Sequence, residues 1–397
     1  MNQSFLIFGR EPSLSLAELY QYLGQDNQKI TSSALEAVLI DDADLGQRAP
    51  DALSGVVKSG VIIKSVKSLG ADILAEILST HLKPGSKFNF GLSFYGCKFD
   101  KRIGLEVKKA LKATGASVRL VESRNNNLSS VDVVKNKLLS SGVELCIIKT
   151  KDSYQIGQTQ SVQPFEEYSE RDYGRPGRDA RSGMLPPKLA KAMVNIAVPG
   201  NRGLKILDPF CGSGTVLQEA LLLGHNVIGT DIETSAIAGS KKNLEWLLGR
   251  QPELASLSYR IEKADVRQIG NILSKNSVDA IISEFDLGPP LSGRENEGKI
   301  KSIVLSLNDF YLAALHALQP VLKDNGRAVL AWPYFRKFDS LIPAFDELEN
   351  LGWQVEAPYP ESFKKDFPLS YRNTLLYGRP DQHVWREILI LKKTGQA

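Results

Sequence analysis

The residues most able to do chemistry in this sequence lie in Lys205-Ile-Leu-Asp-Pro-Phe-Cys-Gly-Ser-Gly-Thr215. An apolar run ends in a carboxylate, Asp208. Gly212 and Gly214 follow, and a helical pattern opens over Val216 to Leu223. Glycines let backbone amides approach a ligand closely, and a helix N-terminus aims N–H groups at it. A nicotinamide-dinucleotide loop would need a small residue three places after the second glycine, for close helix–strand packing. That position holds Leu217, and the Gly-Lys-Ser/Thr of a phosphate-binding Walker loop is absent. One helix further on, Val227-Ile-Gly-Thr-Asp231 ends in an acid that could accept from both ribose hydroxyls. Ala264-Asp265-Val266 supplies a third acid, placed to accept from an adenine amine. The plainer readings are a helix cap for Asp231 and a turn carboxylate for Asp265. Three such features in order speak for a ligand more strongly than any one alone.

Asp-Pro-Phe-Cys-Gly-Ser-Gly-Thr resembles the first motif of class I methyltransferases, whose glycine loop wraps the methionine part of S-adenosylmethionine. The resemblance implies that Asp208, Phe210, Gly212, Gly214, Thr215, Asp231, Ile232, Asp265 and Val266 hold this donor. Methyltransferases of exocyclic amines carry Asp/Asn-Pro-Pro-Tyr/Phe just after the fourth strand. The acid or amide accepts amine hydrogens, which aims the nitrogen lone pair, and the ring stacks on the base. Here the strand pattern Val278-Asp-Ala-Ile-Ile-Ser283 is followed by Glu284-Phe-Asp-Leu-Gly-Pro-Pro290. Counting from the strand end puts Glu284 in the acid position and Phe285 next to it. Asp286 is a second candidate acceptor. Matching Pro289-Pro290 instead leaves Gly288 where the acid belongs. Glu284 is preferred, because position relative to the strand end sets side-chain location. The plainer reading makes Glu284 and Asp286 solvated loop charges. Pyrimidine C5 chemistry would need a nucleophilic thiol. Cys211 lies in the glycine loop, and Cys97 and Cys146 lie in the N-terminal half, each read as a small buried residue.

Positioning these groups requires strands that end together. Strand patterns are read at Lys205 to Leu207, Asn226 to Thr230, Ser258 to Ile261, Val278 to Ser283 and Ala328 to Trp332. Trp353 to Ala357 and His383 to Leu391 add two more. Helical segments separate most of them, which predicts a parallel sheet covered on both faces, with ligands at the strand carboxyl ends. The first half is a mixture of α and β signals. A strand at Phe5-Leu6-Ile7-Phe8 precedes a helix with Ser13 or Ser15 as cap and Leu16, Leu19, Tyr20 and Leu23 on one face. Arg102 to Thr114 reads as a basic amphipathic helix, Ser117 to Val121 as a strand and Val131 to Leu139 as a helix. Leu145-Cys146-Ile147-Ile148 reads as a short apolar strand. Lys108, Lys112, Arg119, Arg124 and Lys135 belong to a cluster of cations here that could neutralise phosphates, or form an ordinary solvated face. Between Gln163 and Pro187 glycine and proline rise, with arginines at 171, 175, 178 and 181, which marks a linker or ordered loop. A helix opens at Pro187.

At 397 residues the chain is long for one core and predicts two or three domains. It is 42% hydrophobic and 24% charged, with 49 basic and 45 acidic residues. The net +4 permits a nucleic-acid partner without arguing for one. Three scattered cysteines suggest neither a disulfide framework nor a zinc site, and the four histidines include no pair at ligand spacing, so no metal is expected. No secretory signal and no apolar run long enough to span a bilayer is read, so a cytoplasmic location is expected.

The whole pattern resembles the THUMP-domain tRNA guanosine-N2-methyltransferases of archaea and eukaryotes and their bacterial relatives. Phe8-Gly9-Arg10-Glu11-Pro12-Ser-Leu-Ser-Leu-Ala-Glu-Leu19 is similar to that family's N-terminal signature. Gly115-Ala-Ser-Val-Arg119 with Asn127-Leu-Ser-Ser130 resembles the THUMP core. Ser182-Gly-Met184-Leu-Pro-Pro-Lys188-Leu-Ala-Lys-Ala-Met-Val-Asn195 resembles the segment before the donor motif. The resemblance implies an α/β chain: a class I (Rossmann-like) methyltransferase domain with a seven-stranded, mostly parallel sheet, preceded by an α+β, THUMP-containing RNA-binding region. The implied domains are a ferredoxin-like-type α/β segment over 1–60, the THUMP domain over 61–162, a linker over 163–187 and the methyltransferase over 188–397. The implied partner is tRNA, gripped at its acceptor end, with a guanosine amine, commonly at position 10, as target. A monomer without a membrane partner is expected, and the sequence names no activating subunit.

Overall fold

The computed structural model describes residues 3–98, 100–123, 126–177 and 184–394. The chain divides into two units, one of Met1–Ser15 with Asp26–Glu167, the other of Leu16–Gln25 with Tyr168–Ala397. Among the described residues no helix is long and apolar enough to cross a membrane.

In chain order the first unit carries β1 (Ser4–Phe8), the start of α1 (Pro12–Tyr22), β2 (Ile30–Ala34), β3 (Ala37–Ile40), α2 (Ala43–Ala52) and β4 (Val56–Val66). It continues with α3 (Ala71–Ser79), β5 (Lys87–Tyr95), α4 (Lys101–Ala113), β6 (Ser117–Val121), α5 (Ser130–Lys135), β7 (Val143–Lys149) and β8 (Tyr154–Val162). The strands form one sheet in the order β2-β3-β1-β4-β8-β7-β5-β6. β5 runs parallel to both β6 and β7, and the other pairings are antiparallel. The parallel β5–β6 step requires a crossover, which α4 supplies. Gly104, Val107 and Leu111 of α4 are buried at helical spacing, and Asp100 caps it by accepting from the Arg102 amide at 2.9 Å. Two expected helices differ. Ser15 lies inside α1, its Oγ donating to the Glu11 carbonyl at 2.9 Å, so neither serine is the start signal: Pro12 opens the helix. The helix expected over 131–139 stops at Lys135, because Lys137 has φ +58° and its carbonyl collects the amides of Ser141 and Gly142. The sheet also buries a charge pair invisible in the sequence. Lys58 Nζ on β4 donates to Glu144 Oε1 on β7 at 2.6 Å and to the Leu128 carbonyl at 2.8 Å. Ser93 and Thr159 donate to the two Glu144 oxygens. Burial opposes the lysine charge, but Glu144, with Cys146 and Tyr95 beside it, more than offsets this and the ammonium is held well above its ordinary range.

In the second unit the residues after α6 (Phe165–Ser169) carry α7 (Pro187–Ala197), β9 (Lys205–Asp208), α8 (Thr215–Leu222), β10 (Asn226–Asp231), α9 (Thr234–Arg250) and β11 (Tyr259–Lys263). Then come β12 (Val278–Glu284), α10 (Glu297–Leu318), β13 (Leu322–Phe335), β14 (Trp353–Val355), β15 (Leu375–Tyr377) and β16 (Val384–Lys393). The strand order is β11-β10-β9-β12-β13-β16-β14, with β15 also on β16. β9 to β13 are parallel, and β16 is antiparallel to its three neighbours. The sheet therefore has eight strands rather than the expected seven. The additional β15 is three residues long, too short to show a period, and shares β16 with β14. β9 lies between β10 and β12, so the strand order reverses there and opens a crevice at the carboxyl ends. The main core, including Leu207, Ile281, Tyr311, Leu330 and Trp332, lies between this sheet and α10. The second unit also takes in the end of α1: Asn195 donates to Glu18 at 2.7 Å and Arg327 to Gln21 at 3.1 Å.

Leu217, the residue that excludes a dinucleotide loop, is fully buried on α8. Its room comes from the strand: a Cβ on Gly229 of β10 would stand 2.5 Å from Leu217 Cδ1 and 3.1 Å from Cys211 Cβ. Gly229→Val is therefore expected to cost about 1–3 kcal/mol by overpacking. Thermal unfolding would read this, and an unchanged midpoint would show that Leu217 moves aside freely.

Candidate functional site

The glycine loop is built by backbone geometry. Gly212 and Gly214 have φ of +50° and +81°, in the left-handed region that glycine enters without cost. A Cβ on Gly214 would meet Ser240 Oγ at 2.5 Å, so this glycine is needed for packing against α9. A Cβ on Gly212 would project into open space, its nearest neighbour being the Phe210 carbonyl at 4.0 Å. That open cradle at a helix N-terminus fits a donor lying on the loop backbone. Asp231, at the end of β10, accepts from the Gly212 amide and from the Glu233 amide, both at 2.9 Å. It thus couples the loop to the strand end and retains lone pairs for a ribose. Next to it Ile232 is 55% exposed, an apolar surface suited to a purine face.

Other residues expected at the donor take bracing positions. Asp208 is 2% exposed, and its Oδ1 accepts from Ser283 Oγ at 2.5 Å and from the Phe210 amide at 3.2 Å. Burial pushes its carboxyl up to about 7, helped by the charges of Asp231 and Glu284. In this placement Asp208 ties the end of β9 to the end of β12. Asp265 caps the 3₁₀ turn Val266–Asn271 and binds the Arg267 guanidinium through both oxygens, which holds its carboxyl below the usual range. Val266 is buried. The Thr215 hydroxyl accepts from Arg175 at 2.6 Å.

That arginine belongs to a brace within the arginine-bearing stretch that the sequence marks as a linker or ordered loop. Arg171 Nε donates to buried Glu219 on α8 at 2.7 Å, and Arg175 also reaches Gln218 at 3.3 Å. The Gly177 amide donates to Asn243 Oδ1 at 2.7 Å, and Asn243 Nδ2 donates to the carbonyls of Gly177 and Ser213, both at 2.8 Å. Asn243, on α9, therefore fastens residues 168–177 to the glycine loop. The four-residue spacing of Arg171 and Arg175 was a usable signal; Asn243 gave none. Arg178 and Arg181 lie outside the described residues.

The acceptor loop departs most from expectation. Glu284 ends β12, and Arg386 of β16 donates to its Oε1; the two side chains are 17% and 6% exposed. Burial raises the Glu284 carboxyl pKa, and Arg386 opposes that rise. Phe285 is not placed to stack on a base. It is 1% exposed, with its ring 4.6 Å from Phe210, 5.0 Å from Tyr311 and 6.3 Å from Trp332, centroid to centroid. Strand alternation turns it into the α10 core, since the residue after a strand-end acid faces the other side. Asp286 is exposed; it accepts from the Gly288 amide at 2.9 Å, and its carbonyl accepts from Tyr311 at 2.5 Å. Cys211 is buried, and burial pushes its thiol well up, away from thiolate chemistry. In the first unit Lys112, Arg119 and Lys135 are exposed on α4, β6 and α5, and Lys108 is half-buried; Arg124 lies outside the described residues.

Residues 175–351 match a family model described as RMKL-like, methyltransferase domain, and residues 107–242 match one described as a DNA methylase. Over its length the fold is similar to the crystal structure of TrmN from Thermus thermophilus, at TM-score 0.56 and 17% identity, covering 98% of this chain and 99% of that one. The tRNA (guanine(10)-N2)-dimethyltransferase of Methanocaldococcus jannaschii is 28% identical over 247 residues, 61% of this chain and 60% of that protein. The chain thus matches less than two thirds of that relative's length. The probable tRNA (guanine(10)-N2)-dimethyltransferase of Methanothermococcus thermolithotrophicus is 30% identical over 147 residues, 36% of this chain and 78% of that protein. Sheet order, glycine loop and strand-end acids define a methyltransferase of Rossmann-like α/β fold. The chain belongs to the THUMP-domain tRNA guanosine-N2-methyltransferase family.

Proposed function

We propose that this chain is an S-adenosylmethionine-dependent tRNA guanine-N2-methyltransferase of the position-10 type. The observation that carries the reading is the link between Ser283 and Asp208: it pins the end of β12 to the end of β9, and so holds Glu284 beside the donor loop. Gly212, Gly214, Asp231 and Ile232 hold the donor, Asp208 and Thr215 brace the loop, and Asp265 and Val266 close the adenine end. The bound sulfonium supplies an electrophilic methyl group. The Glu284 carboxylate would accept a hydrogen of the guanine amine, aim the nitrogen lone pair and stabilise the positive charge that develops on that nitrogen. Residues 61–162 are read as a THUMP module, with Lys108, Lys112, Arg119 and Lys135 among its phosphate contacts, after an N-terminal segment over 1–60. Residues 163–187 connect to the catalytic domain over 188–397. A monomer acting on tRNA in the cytoplasm completes the reading.

Two experiments test it. Asp231→Ala should weaken S-adenosylmethionine binding roughly tenfold to 100-fold, the worth of a charge-assisted hydrogen bond. Calorimetry measures this, and an unchanged Kd would remove Asp231 from the site. Incubating the protein and labelled donor with tRNA from its own source lacking this gene, followed by mass spectrometry of nucleosides, should show N2-methylated guanosine. Tight tRNA binding without methylation would instead indicate an RNA-binding protein on a methyltransferase fold.

A further inference from the structure

We propose that Arg386 is a positioning residue for the amine acceptor: its guanidinium, reaching from β16, holds Glu284 as an ionised carboxylate with a fixed orientation at the end of β12. The proposal rests on the role given to Glu284 above. On β13, Ala331 is in register with Glu284 and Pro333 with Arg386. Residues two apart on a strand share a face, so Glu284 and Arg386 meet on one side of the sheet. Neither Ala331 nor Pro333 brings a charge between them. The other titratable groups around Glu284 do not favour its ionised form. Asp208 on β9 feels its charge, as does Tyr311 on α10, and Asp286 follows two residues later. Tyr377 of β15 is in register with Arg386. Among the groups acting on Glu284, Arg386 supplies the positive charge.

The polarity of the carboxyl group explains why this matters. An ionised carboxylate offers only acceptors, which the hydrogens of an exocyclic amine require. A protonated one would present an O–H to the amine, and burial favours that form. One oxygen of Glu284 is engaged by Arg386, and the second is the one to receive the amine. A longer acid held back by an arginine thus stands where the family pattern has Asp or Asn followed by Pro-Pro.

The test compares wild type with Arg386→Gln and Arg386→Lys, all full-length. In protein labelled at glutamate Cδ, the Glu284 resonance is the one missing from Glu284→Gln, and its titration is followed by carbon NMR. Arg386→Gln is expected to raise proton affinity about tenfold or more, one pH unit of midpoint, and Arg386→Lys to restore most of it. Equal midpoints would overturn the proposal. If Arg386→Gln does not fold, the wild-type titration decides: a midpoint above about 7 overturns the proposal, and one below it supports it. Methyl transfer to tRNA gives a second readout. The acid limb of kcat should move to higher pH in Arg386→Gln with donor Kd unchanged, and a loss equal at every pH would mean a merely structural pair. Absence of tRNA methylation by wild type would defeat the functional reading alone, because the titration would still decide whether Arg386 keeps Glu284 ionised.

Discussion

Glu284→Gln is expected to bind S-adenosylmethionine as wild type does and to lose about 100-fold or more in the rate of methyl transfer, the scale of removing one positioned polar group. Glutamine is isosteric, so its amide oxygen can still accept from Arg386 while its NH₂ faces the substrate. A donor then confronts the amine where an acceptor is needed. Alanine would be a poorer test, since it would leave the buried Arg386 guanidinium without its carboxylate and confuse chemistry with stability. Single-turnover rates with saturating donor give the chemical step directly. A rate within about threefold of wild type would move the acceptor role to Asp286, whose exposed carboxylate now accepts from the Gly288 amide.

The second large effect concerns the first unit. Lys58→Met should destabilise it by about 3–5 kcal/mol, because Glu144 would keep its buried charge and lose its cation. Lys58 and Glu144 side chains are 2% and 0% exposed, so water cannot replace the ammonium without opening the sheet. Denaturant unfolding followed by hydrogen exchange on β7 measures the loss where it arises. The double change Lys58→Met with Glu144→Leu should recover part of it, though Ser93 and Thr159 would then lose their acceptor. Wild-type stability in the single variant would mean that Glu144 finds another partner.

What could be read from the sequence was what depends on neighbours along the chain. Asp208, Asp231 and Glu284 stood out because each acid closes a short apolar run, one residue beyond the strands read there, and glycine positions marked the loop because only glycine suits its backbone. The missed features join residues far apart. Lys58 and Glu144 are separated by 86 positions and Glu284 and Arg386 by 102, so no local pattern could pair them. Phe285 departs from the stacking role of the family motif because strand alternation turns the residue after Glu284 into the core. β15 was too short to carry a period, and Asn243 looked like any polar helix residue.

The inclusion of Leu16–Gln25 in the second unit has a consequence for biosynthesis. Glu18 meets Asn195 across 177 positions, and Gln21 meets Arg327 across 306. During synthesis this piece of helix leaves the ribosome well before its partners, which follow 177 and 306 residues later. At roughly 5–20 residues per second, Gln21 waits some tens of seconds for Arg327. Contacts of such sequence separation form late and slowly. The second unit therefore cannot be completed from Tyr168 onward alone: one of its pieces precedes most of the first unit's sheet in the chain, and a fragment beginning at Tyr168 would lack it.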